Sequence, residues 1–456
     1  MKKTILTLSI LLFATVGFAQ LSPAITSWLQ NNTIMGRHYV QNNFTPIQDI
    51  VMANCQYVQY STNWVYVKTR GIPTYITGPF LDGNPSLASD QNAIFKLPLN
   101  ATANANPTAT TGGNIGIFIN GVALFDYRDG VAWNATTNAL CGGPGNPACP
   151  GGMGATSDWN RDAILAERMG FDCAKGHPAM GNYHHHQNPS AFNLDLNVVS
   201  TICNLYNADG LYVIDSSMHS PLIGFAYDGY PIYGAYGNQN TNGTGPIVRM
   251  KSSYSLRSIT VRNTSPTGAS VTAGPTVSST YPLGYFREDY QYNPTSVATP
   301  DYLDEHNGRF CVTPEYPNGT YCYFATVDAN WNSAYPYVVG PTFYGTKQAI
   351  KVTAITEPTT PYVPATGISE NLNTKQINIY PNPSSDFLAI QLVDLVKENV
   401  AVSLYDISGR LVSNTMIYQG STIAYFDTRT LYSGKYIVKL TNNDIVVTRK
   451  VIITKD

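Results

Sequence analysis

The chain has 456 residues, a formal net charge of −2 and only 12% Asp, Glu, Lys and Arg, against roughly 25% in ordinary soluble domains. No basic cluster is present, which excludes a nucleic-acid partner held by phosphate contacts. No apolar run reaches the ~20 residues of a membrane-spanning helix. The length accommodates two or three domains, and 32 tyrosines among many Gly, Asn, Thr and Pro residues suit a mainly β protein with few helices and long ordered loops.

The N-terminus has the layout of a secretory signal peptide over residues 1–19. Lys2 and Lys3 precede an apolar run from Ile5 to Phe13, and small residues Gly17 and Ala19 come just before Gln20. An exported body is expected over residues 20–355. Its first part, to about residue 135, reads as short strands. In "NIGIFINGVALFDY" the Asn120-Gly121 pair is a hairpin turn signal. "SDWNRDAILAERMG" reads as a helix capped by Ser157, with Asp158 in its first turn. Trp159, Ile164, Leu165 and Met169 form its apolar stripe, and Gly170 ends it. Further strands are expected in "GLYVIDSS", in "IGFAYDGYPIYGAYG" and over residues 310–345. A Ser/Thr-rich insertion at 245–300 separates the last two. "TEPTTPYVPATGISENLNTK" (356–375) reads as an extended linker. Beyond it, residues 376–456 alternate short strands with turns at roughly 8–12-residue spacing, as in a small immunoglobulin-like β-sandwich.

Seven cysteines in an exported chain are disulfide candidates, and the odd number leaves at least one unpaired. Cys141 and Cys149 bracket a loop that a bond would staple. A tight turn at Asn318-Gly319 would set Cys322 opposite Glu315, so a Cys311–Cys322 bond needs a wider loop.

The chemistry concentrates in "GHPAMGNYHHHQNPSAF". Four of the seven histidines, His177, His184, His185 and His186, lie within ten residues. On an extended chain, residues i and i+2 share a face. His184 and His186 then point one way, and Tyr183 and His185 the other. Two imidazoles on one face can close on an ion at ~2.0–2.1 Å, with a third ligand from His177 or His219. His306, beside Asp304 and Glu305, is a further candidate near the site. Asp228, at the turn of "AYDGYPIYG", is placed either to orient a histidine or to cap its own turn. Tyr183, Tyr230 and Tyr233 are available to line a pocket. Imidazole-rich ligation suits one transition metal ion, zinc or copper, and suits calcium or magnesium poorly. From the residues alone, a metal-free polar site or a structural cluster stays open. So does a cell-surface module whose tyrosines meet a polysaccharide or small-molecule ligand.

Two resemblances can be stated on these residues. The tail, through "YPNPSSDFLAI", "LYDISGRLV" and "GKYIVKL", resembles the type A C-terminal sorting domain of the type IX secretion system of Bacteroidetes. That resemblance implies the type IX machinery as partner and a protein that is secreted or held at the outer cell surface. The body resembles the YHYH-domain proteins, named for a Tyr-His-Tyr-His motif that here reads Tyr183-His184-His185-His186. "CAKGHP", "HSPLIGFAYDGYPIYGAYG", "LDEHNGRF" and "YPNGTYCYFATVD" support it, with the best match over 110–345. A second copy of the motif, carried by some relatives, reads Tyr321-Cys322-Tyr323-Phe324 here, without histidine. The resemblance implies an architecture and a site, not a reaction.

Overall fold

The structure is a computed structural model. It describes residues 21–82, 86–143, 145–151, 157–192, 201–207, 210–295, 299–364, 377–393, 396, 398–442 and 445–455. The expected leader and residues 365–375 of the expected linker lie outside the described residues. Among those described, strands dominate and the two α-helices are single turns of four residues. The mainly β expectation is met.

The body is organised by an eight-stranded sheet. Its strands in chain order are β1 (Asn114–Phe118), β2 (Ala123–Phe125), β3 (Gly176–Ala179), β4 (Asn182–His185), β5 (Leu222–Ala226), β6 (Pro231–Tyr233), β7 (Gly308–Cys311) and β8 (Thr320–Phe324). Their order across the sheet is β3-β4-β2-β1-β5-β6-β8-β7. The four strands on each side of the β1–β5 seam match in kind and direction. β4 runs parallel to β2, and β8 runs parallel to β6; the seam is antiparallel. Its register, Gly116 to Ala226, Ile117 to Phe225 and Phe118 to Gly224, has a local two-fold at the Ile117–Phe225 pair.

The sequence follows the same duplication. "IGIFINGVALF" (115–125) aligns with "IGFAYDGYPIY" (223–233). Gly121 and Gly229 occupy the same left-handed turn position, at φ 80° and 89°, which a side chain would strain. In the second hairpin of each half, Asp172 and Asp304 cap equivalent turns. Each accepts from the residue two further on and from the glycine four further on, Gly176 or Gly308. Each also accepts a tyrosine hydroxyl, Tyr183 at 2.9 Å and Tyr321 at 2.8 Å.

A five-stranded sheet packs on the central one. Its strands are Ile350–Val352, Ala93–Pro98, Trp64–Thr69, Cys55–Tyr60 and Thr360–Tyr362. The last lies within the range read as linker. Val58, Val67 and Phe95 share one core with Ile117, Ile223 and Phe225. The tail has two sheets of three and four strands around its own core, which includes Leu388, Val402 and Val438. This is the sandwich its strand spacing predicts. Ala389 and Ile423 of the tail pack with Phe171, Phe192 and Val213 of the body.

Three expectations are corrected. The helix expected over Ser157–Gly170 is strand over Asn160–Asp162, one α-turn over Ala163–Ala166 and a 3-10 turn over Arg168–Gly170. Sheet pairing takes the backbone first: the Trp159 carbonyl accepts from Trp133 N at 2.9 Å, and Asp162 N donates to Tyr285 O at 3.0 Å. The cap is Asp162, whose side chain accepts from Ile164 N at 2.8 Å. "GLYVIDSS" is buried for most of its first half but forms no strand. The turn before Cys322 is wide, not tight. Cys311 pairs with Thr320 in register, and Cys322 pairs with Arg309. Disulfides join Cys141 to Cys149 and Cys173 to Cys203; Cys55, Cys311 and Cys322 are free.

Candidate metal centre

The hairpin β3–β4 sets His177 directly opposite His184, and strand alternation carries His186 onto the same face. The three residues are buried, at 6%, 1% and 3% exposure. Their Nε2 atoms converge: His184 to His186 is 3.0 Å, and His177 to His186 is 3.3 Å. Phe125 stacks on His184 at 3.9 Å, and Phe171 meets His177 edge-on at 4.9 Å. The pocket is therefore walled by aromatic rings.

The outer nitrogens fix the tautomers. His184 Nδ1 lies 2.8 Å from the Asn182 carbonyl, and His186 Nδ1 lies 2.7 Å from the Asp126 carbonyl. A carbonyl only accepts, so each Nδ1 carries the proton and donates it. In the neutral rings both Nε2 atoms are then bare lone pairs aimed at each other. Burial, with the neighbouring imidazoles His186 and His177, drives His184 far below its ordinary range. Burial also opposes charge on His186, but its contact with Glu167 outweighs this and raises it.

Glu167 is the residue that sequence reasoning missed. Its Oε2 lies 3.3 Å from the Nε2 of both His177 and His186. Burial pushes its carboxyl up, yet the two imidazoles more than offset that and hold it below the usual range. It follows the single helical turn Ala163–Ala166, and the Asp162 cap places it there.

Of the other expected residues, Tyr183 and His185 face away, as strand alternation requires. Tyr183 donates to Asp172, and His185 Nε2 lies 2.7 Å from the Tyr75 hydroxyl. His219 is not brought to the cluster. It sits in the second half, edge-on to Tyr233 at 5.3 Å, with Nδ1 donating to the Ser220 carbonyl. His306 is held by Thr342 at 2.6 Å and packs on Tyr344. Asp228 orients no histidine. It accepts from Tyr230 N, Gly345 N and the Tyr323 hydroxyl, so its turn-capping role holds. Tyr230 packs with Tyr321 and Tyr344, again in the second half. The positions there equivalent to His177, His184 and His186 carry Arg309, Cys322 and Phe324.

A sequence profile of the YHYH protein family matches residues 94–336, more than half of the chain. The chain belongs to the YHYH family. A profile for the secretion system C-terminal sorting domain matches residues 378–454. The tail is thus a type IX sorting domain, which indicates export to the cell surface or beyond. No curated protein matches the chain. Among the described residues no helix is long and apolar enough to cross a membrane. In this YHYH domain the first and third motif residues pack and hydrogen-bond. The second and fourth, with His177, form a group able to hold a metal ion.

Proposed function

We propose that this exported YHYH protein binds one transition metal ion, zinc or copper, through Nε2 of His177, His184 and His186, after its signal peptide at 1–19 is removed. The observation that carries this reading is the convergence of three imidazoles, each with a ligand atom within 4.8 Å of the others, in a buried pocket. With both Nδ1 protons committed to carbonyls, nothing in the neutral cluster bridges His184 to His186 across 3.0 Å. A cation turns that repulsion into coordination. A tetrahedral ion with ligands at ~2.0–2.1 Å sets its ligand atoms about 3.3–3.4 Å apart. The His184–His186 and His177–His186 separations, 3.0 and 3.3 Å, are close to that edge. The carbonyls of Asn182 and Asp126 orient the rings and raise their basicity, as outer partners of metal ligands do.

The ion would supply Lewis acidity, or redox cycling if it is copper. The chain's own part is to hold three imidazoles together in a buried pocket. Elemental analysis of the secreted protein tests this, with the His184→Ala/His186→Ala variant beside it. One stoichiometric transition metal, lost in the variant, is expected. No metal in either folded sample would overturn the reading and leave the polysaccharide-binding module as the function to pursue.

A further inference from the structure

We propose that Cys311 and Cys322 form a thiol–disulfide site, where a peroxide-class oxidant closes a bond that a dithiol reductant reopens. The proposal is independent of the metal-binding reading. Cys322 stands in the second half where His184 stands in the first, opposite Arg309. Cys311 lies two residues beyond Arg309 on β7, so strand alternation puts all three side chains on one face. Both cysteines are buried, at 0% exposure, and both are free thiols. The Cys322 thiol is within hydrogen-bond reach of the Cys311 sulfur and lowers that group; burial opposes this, and the Arg309 guanidinium adds to it. Burial, with Cys311 beside it, holds Cys322 protonated. Arg309 is anchored through its Nη atoms to the carbonyls of Asn238, Gln239 and Pro300. Its buried Nε has no hydrogen-bond partner among the described residues. A thiolate on Cys311 would satisfy that orphan N–H. The pair has the asymmetry that thiol exchange uses: one sulfur is poised as nucleophile and the other is kept as S–H.

The strand register makes the bond reversible. Cys311 faces Thr320 and Cys322 faces Arg309, so the two cysteines are diagonal neighbours. Diagonal positions stand about 7–8 Å apart, at the limit of ~7 Å beyond which a disulfide requires backbone movement. Cys311 is the last residue of β7, and the loop 312–319 follows it, so this strand end can move. A bond closed in this way is strained, and strained disulfides are the readily reduced ones. A small oxidant can approach through the cavity of about 470 Å³ lined by His219 and Glu315, and Glu315 also lies near Cys322. The Cys311 thiolate takes one oxygen of hydrogen peroxide and the O–O bond breaks. The other oxygen leaves as hydroxide and becomes water with the proton that Cys311 gave up. The Cys322 sulfur then attacks the sulfenic acid on Cys311, the S–O bond breaks, and hydroxide leaves as a second water with the Cys322 proton. Two thiols are oxidised to one disulfide, and one peroxide is reduced to two waters.

The test uses the full secreted chain, treated with mild dithiothreitol, desalted and exposed to hydrogen peroxide. Samples before and after peroxide are denatured and alkylated without further reduction, and the labelled peptides are read by mass spectrometry. Before peroxide, Cys55, Cys311 and Cys322 should label. After it, only Cys55 should label, and a cross-linked peptide should join Cys311 to Cys322. A second mild dithiothreitol step should restore all three labels while Cys141–Cys149 and Cys173–Cys203 stay closed. Cys322→Ser should stop at a sulfenic acid on Cys311, trapped by dimedone, and Cys311→Ser should trap far less on Cys322. Circular dichroism confirms the fold of each variant. Three labels after peroxide, or separately oxidised cysteines with no cross-linked peptide, would overturn the site. A Cys311–Cys322 bond that resists mild dithiothreitol as the other two do would also overturn it, since the pair would then be a third structural disulfide. Faster trapping on Cys322 than on Cys311 would overturn the assignment of the nucleophile.

Discussion

Neighbouring residues of one short run do unrelated work because a strand turns successive side chains to opposite faces. His184 and His186 meet His177, while His185, between them, hydrogen-bonds Tyr75 and is pushed down to about 3 by burial. It stays neutral at any working pH. Buried carboxyls are where pH acts on stability. Burial raises Asp162 and Asp172 to about 7 and Asp228 to about 6, against the hydrogen bonds that pull each down. A folded value above the unfolded ~3.9 means that the native state holds the extra proton. That contribution is full below about pH 4 and is lost as pH rises through 6 for Asp228. Asp228 is the clean probe, because its partners are in the second half, away from the histidines. Asp228→Asn loses part of its donor set and should be destabilised by about 1–3 kcal/mol. The penalty should be larger at pH 4 than at pH 7, as read by denaturant unfolding at the two values. A penalty that grows with pH would show instead that the ionised carboxylate is the stabilising form.

At the scale of elements, the two hairpins β3–β4 and β7–β8 are one device used twice. In each, an Asp-capped turn brings a glycine under a tyrosine that donates back to the same Asp. A Cβ on Gly176 would stand 2.4 Å from Tyr183 Oη, and one on Gly308 would stand 2.4 Å from Tyr321 Oη. Neither tyrosine can withdraw without breaking its bond to Asp172 or Asp304. Gly176→Ala and Gly308→Ala should therefore each cost roughly 2–4 kcal/mol, the range of overpacking combined with a broken buried hydrogen bond. Thermal melts will measure both. Zinc titration separates them: only Gly176→Ala, next to His177, should also weaken metal binding. Equal effects on metal binding would mean that the hairpins are coupled across the sheet.

The whole molecule joins a two-fold body to a sorting sandwich, and its covalent cross-links can be counted. Alkylation of the denatured, unreduced protein should label three cysteines, Cys55, Cys311 and Cys322. A count of one would reveal a third disulfide. Reducing Cys173–Cys203, which spans 30 residues, should remove about 3–4 kcal/mol by loop-closure entropy. Zinc held only by the folded site would add about 2.7 kcal/mol of stability at a free concentration a hundred times its Kd. The melting temperature should rise with zinc, fall back with chelator and ignore both in His184→Ala/His186→Ala. A zinc-induced rise of equal size in that variant would place the ion elsewhere.

Local pattern was enough for much of this. Tyrosine-rich alternation announced a β protein, "INGVALF" its hairpin, the tail its sandwich, and the i, i+2 spacing of His184 and His186 their common face. These follow from backbone geometry within a few residues, which the sequence carries directly. Other features depended on contacts between distant segments. "SDWNRDAILAERMG" has a helical stripe, but Trp133 and Tyr285 claim its first backbone groups, and only the remaining turn delivers Glu167 to the histidines. His219 looked as suitable a ligand as His177. The two-fold arrangement of the sheet assigns it to the other half, where Arg309, Cys322 and Phe324 stand at the positions equivalent to His177, His184 and His186. Residue type and spacing specify which face a side chain takes. Which other segment meets that face is decided by strand order and register across the whole sheet, which brings His177, and not His219, against His184 and His186.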